Sequence, residues 1–266
     1  MAIEIGVFLP TFTPDPARSA LGDIQRSARF VEELGLGSVW STDQLVTGAP
    51  ILDSTIVLAA AAAVTTRLTI GFNVLLPALR PVAWTAKQLT TLQYVSGDRL
   101  VLGVGTGNPA YGDVGWRAAG VSFADRGRRT DDALLALPGL VTGQAVVLDG
   151  VEVTLAPGAT MPPVVVGGNG RAALRRAARY GDGWASIGLP PERIADGLAE
   201  IRELGGRPAI TATAVAPQLD SDPHRAAARL AEYEASGVER AILAPSGGDW
   251  HRDYEFAASV NGALSR

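Results

Sequence analysis

An alternation running the length of the chain constrains its fold more than any other feature. Short, β-branched apolar runs are each followed by a stretch in which apolar residues recur every three or four positions. The runs are Ile3–Leu9, Ser38–Thr42, Leu68–Val74, Arg99–Val104, Val164–Val166, Gly183–Ser186, Ala209–Ala216 and Arg240–Ala244. Between them the spacing predicts helices. The first carries Leu21, Ile24, Ala28, Val31 and Leu34 before Gly35. Others span about Leu52–Val64, Pro81–Val95 (stopped by Gly97), Asp125–Val141, a segment after Gly168, Pro191–Leu204, Ser221–Ser236 and Arg252–Leu264. For the Ser221 helix the expected N-cap is Ser221, with Pro223 in the first turn. Runs without polar alternation are those of parallel strands covered on both faces. Eight strand–helix units in 266 residues predict α/β architecture, a single (β/α)8 TIM barrel over residues 1–266. An alternating stretch around Asp149-Gly150 predicts a small β-hairpin inserted before strand five. The Leu52–Val64 helix is apolar all round, which predicts burial on every side, against a second subunit as well as the core.

A barrel of this kind builds its site at the C-terminal ends of its strands. That rule nominates Pro10 and Thr11, Asp43 and Gln44, Asn73 to Leu75, Gly105 to Asn108, Gly167 to Gly170, Ser186, and Pro245 to Asp249. Composition narrows the chemistry available there. With no cysteine and 2 histidines, the chain lacks thiolate nucleophiles, disulfides and a three-histidine zinc site, and no metal centre is expected. Its one lysine, Lys87, falls in mid-helix, away from the strand ends, which argues against Schiff-base chemistry. A net charge of −4 gives no reason to expect a nucleic-acid partner. The Ile51–Val64 stretch is too short for a membrane span, and the acidic start MAIEIGVFLP does not read as a signal peptide, so a cytoplasmic protein is expected.

Two glycine clusters stand at strand ends. Gly103-Val-Gly-Thr-Gly-Asn108 departs from a dinucleotide fingerprint at its sixth position and suits close approach of backbone to a planar ligand. Gly167-Gly-Asn-Gly170 precedes a helix with Arg171, Arg175, Arg176 and Arg179, whose free amides suit a phosphate; a tight turn with solvated arginines is the other reading. Asp43 reads as an acid, a hydrogen-bond partner or a cap. His251 stands near the mouth of the site and His224 near a helix start, where most histidines are surface or capping residues.

Taken in order, several segments resemble the luciferase-like flavin/deazaflavin oxidoreductase family. They are Gly6-Val-Phe-Leu-Pro10, Glu33-Leu-Gly-Leu-Gly-Ser-Val-Trp-Ser-Thr-Asp43, Thr66–Gly71, Leu79-Arg-Pro81, the block Ala86–Gly107, Pro163-Val-Val-Val-Gly-Gly168 and Ala177–Trp184. The resemblance covers nearly the whole chain. It implies a TIM barrel that dimerises through the helices of units two and three. It implies that Asp43 lies beside the cofactor ring and that Asn73-Val74 forms a non-proline cis peptide against it. It further implies that Gly105, Thr106, Gly107 and Asn108 line the ring and ribityl chain, and that Gly167, Gly168 and Asn169 hold the cofactor phosphate. Many members place His after the strand-two Asp. Here that position is Gln44, which hydrogen-bonds but does not transfer protons near neutral pH.

The expected function is hydride transfer between the deazaflavin coenzyme F-420 and a small organic substrate, with Asp43 and Gln44 at the reaction centre. The Leu102–Gly107 and Asn73–Pro77 segments carry the lean toward deazaflavin. The alternatives are an FMN-dependent monooxygenase served by a separate reductase, a non-catalytic flavin-binding relative, and a flavin-free isomerase that binds phosphorylated sugars.

Overall fold

The computed structural model describes residues 3–12, 23–207, 211–216, 219–245 and 249–264. In chain order its elements are β1 (Glu4–Phe8), α1 (Ile24–Glu33), β2 (Ser38–Ser41), α2 (Ser54–Ala62), β3 (Thr69–Phe72), α3 (Val82–Ser96), β4 (Leu100–Val104), α4 (Val114–Ala118), α5 (Arg126–Val141), β5 (Val146–Leu148) and β6 (Val151–Val153). There follow β7 (Val164–Gly167), α6 (Arg171–Tyr180), β8 (Gly183–Ile187), α7 (Pro191–Glu203), β9 (Thr211–Ala216), α8 (Pro223–Ala235), β10 (Val238–Leu243) and α9 (Trp250–Leu264). Short 3-10 turns occupy Pro77–Leu79 and Pro109–Tyr111.

Eight of these strands close into one parallel barrel in the order β1-β10-β9-β8-β7-β4-β3-β2, and β5 pairs only with β6, antiparallel. The (β/α)8 architecture and the hairpin before the fifth barrel strand are therefore as the pattern predicts. The hairpin turns on Asp149 and Gly150, both at positive φ, the conformation a two-residue turn requires.

The barrel interior is narrow because glycine leaves room for one large ring. Trp40 fills it, lying where a side chain at Gly71 would place a Cβ 2.2 Å from Cζ3 and one at Gly6 a Cβ 2.7 Å from Nε1. Around Trp40 pack Phe8, Val101, Val165, Ala185 and Ile242. At the N-terminal end Arg240 pairs with Glu4 through two 2.8 Å bonds. The larger core lies between barrel and helices.

Two charged side chains tie helices to strands through backbone groups. Arg99 donates to the carbonyls of Ala62, Thr65 and Leu68, to the Thr65 hydroxyl and to the Ser96 carbonyl, closing the C-terminal end of α2 onto the start of β3. Glu32 accepts the N–H groups of Thr66, Arg67 and Leu68 at 2.6–3.2 Å.

Two expectations need correction. The N-cap of α8 is Asp222, whose Oδ1 accepts from His224 and Arg225; it directly precedes Pro223, the first helical residue, so Ser221 lies one position too early. The arginines of α6 are not all solvated: Arg176 is 10% exposed and bonds Asp131 at 2.6 Å. Residues 13–22, 209–210 and 246–248 lie outside the described residues. They include the first predicted helix start at Leu21, the start of the predicted strand Ala209–Ala216, and the middle of Pro245–Asp249.

Candidate functional site

The C-terminal strand ends bring the predicted residues to one end of the barrel, and the loop after β3 organises them. The Asn73–Val74 peptide bond is cis, at the position where the resemblance implies it. Beyond it the chain rejoins β4: Leu75 N–H donates to Gly103 O at 2.8 Å and Gly105 N–H to Leu75 O at 2.9 Å. Val74 then lies against two strand ends at once. A Cβ on Gly105 would stand 2.3 Å from Val74 Cγ2, and one on Gly167 2.6 Å from Val74 Cγ1. At Gly103 the close neighbour is the Phe72 carbonyl oxygen, 1.9 Å from a Cβ. These glycines therefore have a packing reason beside any ligand: they seat the loop after β3.

Asp43, 4% exposed, anchors the same loop. Its Oδ2 accepts from Leu76 N–H and from Arg80 Nη2, and its Oδ1 from the same Nη2, each at 2.9 Å. Burial pushes the carboxyl above its usual value, while Arg80 and the Leu76 N–H oppose that shift. Next to it Gln44 is half-buried, and its amide makes no hydrogen bond within the described residues. Asn73 is buried with its amide likewise unbonded, while its backbone N–H holds Ser41 O.

After β4, Thr106 and Gly107 continue the strand end. Gly107, at φ +83°, leaves space for Trp116, which packs with Leu76, Ala78 and Leu79 in a small cluster over the barrel mouth. Asn108 caps the 3-10 turn by accepting Ala110 N–H. The 3-10 turns and α4 were not visible in the periodicity, because elements of three to five residues carry less than two turns of pattern.

On the opposite side Gly168, at φ +123°, donates its N–H to Ala185 O, and its carbonyl accepts from Trp184 Nε1. Asn169 does not present its side chain to a ligand: Nδ2 bonds Ile187 O at 2.7 Å and Oδ1 accepts Ile187 N–H at 2.9 Å. Helix α6 begins at Gly170 without a side-chain cap, leaving its first amides facing the mouth side of the barrel. At the end of β8, Ser186 Oγ is buried and makes no hydrogen bond. Sequence position alone nominated Ser186; its unsatisfied hydroxyl gives a physical reason.

A cavity of about 520 Å³ opens elsewhere, at the N-terminal side between α3, α5 and the segment before β7. Its polar lining is already used by the fold: Gln93 bonds Thr160 O and Leu100 N–H, Tyr94 bonds Gly158 O, and Thr142 bonds Pro138 O. Lys87 bonds Ala156 O, also away from the strand ends. His251 packs on Trp250 beside Asp249, bordering a second cavity of about 230 Å³ between α1 and α9. Among the described residues no group of three or more His, Cys, Asp or Glu is placed to hold a metal.

A family profile described as luciferase-like monooxygenase matches residues 3–264. The chain belongs to that family. Its oxidoreductases and monooxygenases share this barrel, so the luciferase-like assignment made from ordered segments stands. An uncharacterised protein of Mycobacterium tuberculosis is 38% identical over 167 residues, 60% of this chain and 57% of that protein. The chain thus spans little more than half the length of that curated relative. Among solved structures, an F-420-dependent secondary alcohol dehydrogenase in complex with an F-420–acetone adduct superposes with a TM-score of 0.80 at 17% identity, covering 99% of both chains. The monooxygenase RslO1 of Streptomyces bottropensis superposes with 0.82 at 19% identity, again over 99% of both. At such identities these two establish the shared fold. No helix among the described residues is long and apolar enough to cross a membrane.

Proposed function

We propose that this luciferase-like protein is an oxidoreductase that binds the deazaflavin coenzyme F-420 across its strand ends and passes a hydride between it and a small organic substrate. The observation that carries this reading is the platform around Val74, which rests on Gly105 and Gly167, with the amides of Asn73 and Gln44 unbonded at the same end of the barrel. Such a surface suits a flat, uncharged ring. The uncapped start of α6 suits an anion.

When bound, the deazaflavin supplies the carbon that gives or takes hydride. The chain's residues do the rest. Val74, Gly105, Thr106 and Gly107 set the plane of the ring, and Asn73 and Gln44 hydrogen-bond at its edge or to the substrate. Gly167, Gly168 and Asn169 border the phosphate and the free amides at the start of α6 hold it, since the Gly168 N–H is spent on Ala185 O and the Asn169 side chain on Ile187. Asp43, fastened to Arg80 and Leu76, positions the loop after β3 in place of relaying protons. As part of this reading the protein is cytoplasmic and a homodimer joined through α2 and α3, whose outer faces expose Ile56, Trp84, Tyr94 and Val95.

The deciding experiment is titration of the protein with F-420 and with FMN, followed by fluorescence. Micromolar binding of F-420 with weaker binding of FMN is expected. A tenfold preference for FMN would overturn the deazaflavin reading in favour of a flavin-dependent monooxygenase.

A further inference from the structure

Helix α4 lies over the barrel mouth and meets the loops after three strands at once. Its Gly115 is seated against the loop after β2, where a Cβ would stand 3.2 Å from Val46 N and 3.5 Å from Leu45 Cβ. That contact is shallow, because Leu45, Val46 and Val114 all stay more than a third exposed at the mouth. Trp116 makes the deep one. It is 4% exposed, and Gly107 of the loop after β4 lies so close that a Cβ there would stand 2.9 Å from Cζ2. Leu76, Ala78 and Leu79, which share its cluster, belong to the loop after β3, and Val74 packs against the same group. Phe123 meets the indole edge-on at 5.6 Å and lies under the Arg126 guanidinium at 3.9 Å, which fixes the ring to the start of α5 as well.

Hydrogen bonds join the loops after β3 and β4 only at their base, from Leu75 N–H to Gly103 O and from Gly105 N–H to Leu75 O. Among the described residues none joins 76–80 to 106–112. From there outward, the spacing of the two loops depends on what stands between them, and that is the indole. Trp116 belongs to a small cluster separate from the main core between barrel and helices, so its loss loosens the mouth before the barrel. Its Nε1 has no hydrogen-bond partner among the described residues, which leaves shape as the way the ring acts.

We propose that Trp116 is a positioning residue of the cofactor site. Its indole is a spacer that holds the loop carrying Asn73 and Val74 at a set distance from the loop carrying Thr106, Gly107 and Asn108. It acts through those loops and not by contact with the cofactor. The inference rests on the cofactor reading above, because only a ligand lying across both loops feels their separation.

The test titrates the wild-type protein, Trp116→Phe, Trp116→Leu and Trp116→Gly with F-420 and with FMN, followed by fluorescence, with and without millimolar indole. For the cofactor that the wild type prefers, Trp116→Phe should bind within about threefold of wild type and Trp116→Gly about tenfold more weakly or worse, because a loosened site must be ordered by its ligand. Indole should recover much of the affinity of Trp116→Gly and leave the wild type unchanged. Trp116→Leu keeps the cluster apolar but not its width, and should fall between the other two; it decides the matter where Trp116→Gly does not fold. Wild-type affinity in Trp116→Leu and Trp116→Gly would overturn the inference while leaving the cofactor reading intact. So would indole that raises the thermal stability of Trp116→Gly without raising its cofactor affinity, the mark of a purely structural role. Failure of the wild type to bind either F-420 or FMN would remove both.

Discussion

Val74 and the three glycines beneath it separate two kinds of close packing. At Gly103 a methyl group would meet the Phe72 backbone carbonyl, which cannot move without breaking β3, so Gly103→Ala should cost about 3 kcal/mol or more in urea unfolding. At Gly105 the obstacle is the Val74 side chain, so Gly105→Ala should fold with a smaller loss but bind F-420 at least tenfold more weakly. Pairing it with Val74→Ala should recover part of that affinity, a coupling that independent effects would not give. Asp43 and Arg80 offer a second contrast. Arg80→Ala leaves a buried carboxylate without its cation, at a cost of about 3 kcal/mol, whereas Asp43→Asn keeps an acceptor for Leu76 N–H and should cost less. The pH dependence has a definite sign. Burial already holds this carboxyl above its unfolded value, so its ionised form weakens folding as pH rises through the folded value. Removing Arg80 strengthens that effect, and the deficit of Arg80→Ala should shrink as pH is lowered and Asp43 protonates. A deficit that is flat with pH would mean the pair contributes no electrostatic stabilisation.

At the scale of elements, Arg99 does what no helix cap does for α2. Its guanidinium bonds the carbonyls of Ala62, Thr65 and Leu68, groups at the helix end and the following turn that would otherwise lack donors. Arg99→Ala should cost about 2–4 kcal/mol, and Arg99→Lys should restore little, since a single ammonium cannot span those acceptors. Thermal unfolding of both variants checks this; full rescue by lysine would show that charge and not the fork geometry matters. Arg99 also marks how far the sequence was legible. The strands and long helices follow from period and punctuation, and the strand-end rule located Asp43, Gln44, Asn73 and the glycines. Pairings between distant residues were not legible: nothing in the spacing ties Arg99 to Thr65, Asp43 to Arg80, or Asn169 to Ile187. The glycines were read as room for a ligand, and part of that room is occupied by Val74 and the Phe72 carbonyl, a contact that exists only once the loop after β3 has turned back.

For the whole molecule, exposed apolar surface is not spread evenly. Beyond the mouth, one concentration is the outer side of α2 and α3, where Ile56 is 72% and Trp84 67% exposed, with Tyr94, Val95 and Ala63 alongside. A helix as apolar as α2 is explained by one barrel only on its inner side, where Val57, Leu58, Ala61 and Ala62 are buried; its outer row of Ile56, Ala59, Ala60 and Ala63 presents small side chains that permit close approach of another helix. Large exposed residues on α3 beside that flat row complete a surface of the sort that twofold self-association covers. The face lies on the outside of the barrel, away from Val74 and Gly168. Separating the subunits should therefore leave the platform in place. Ile56→Asp combined with Trp84→Asp should convert a dimer to a monomer in sedimentation velocity at micromolar concentration, with cofactor affinity changed less than threefold. A wild-type chain that sediments as a monomer would refute the dimer. A dimer whose dissociation abolishes cofactor binding would mean instead that the second copy completes the site.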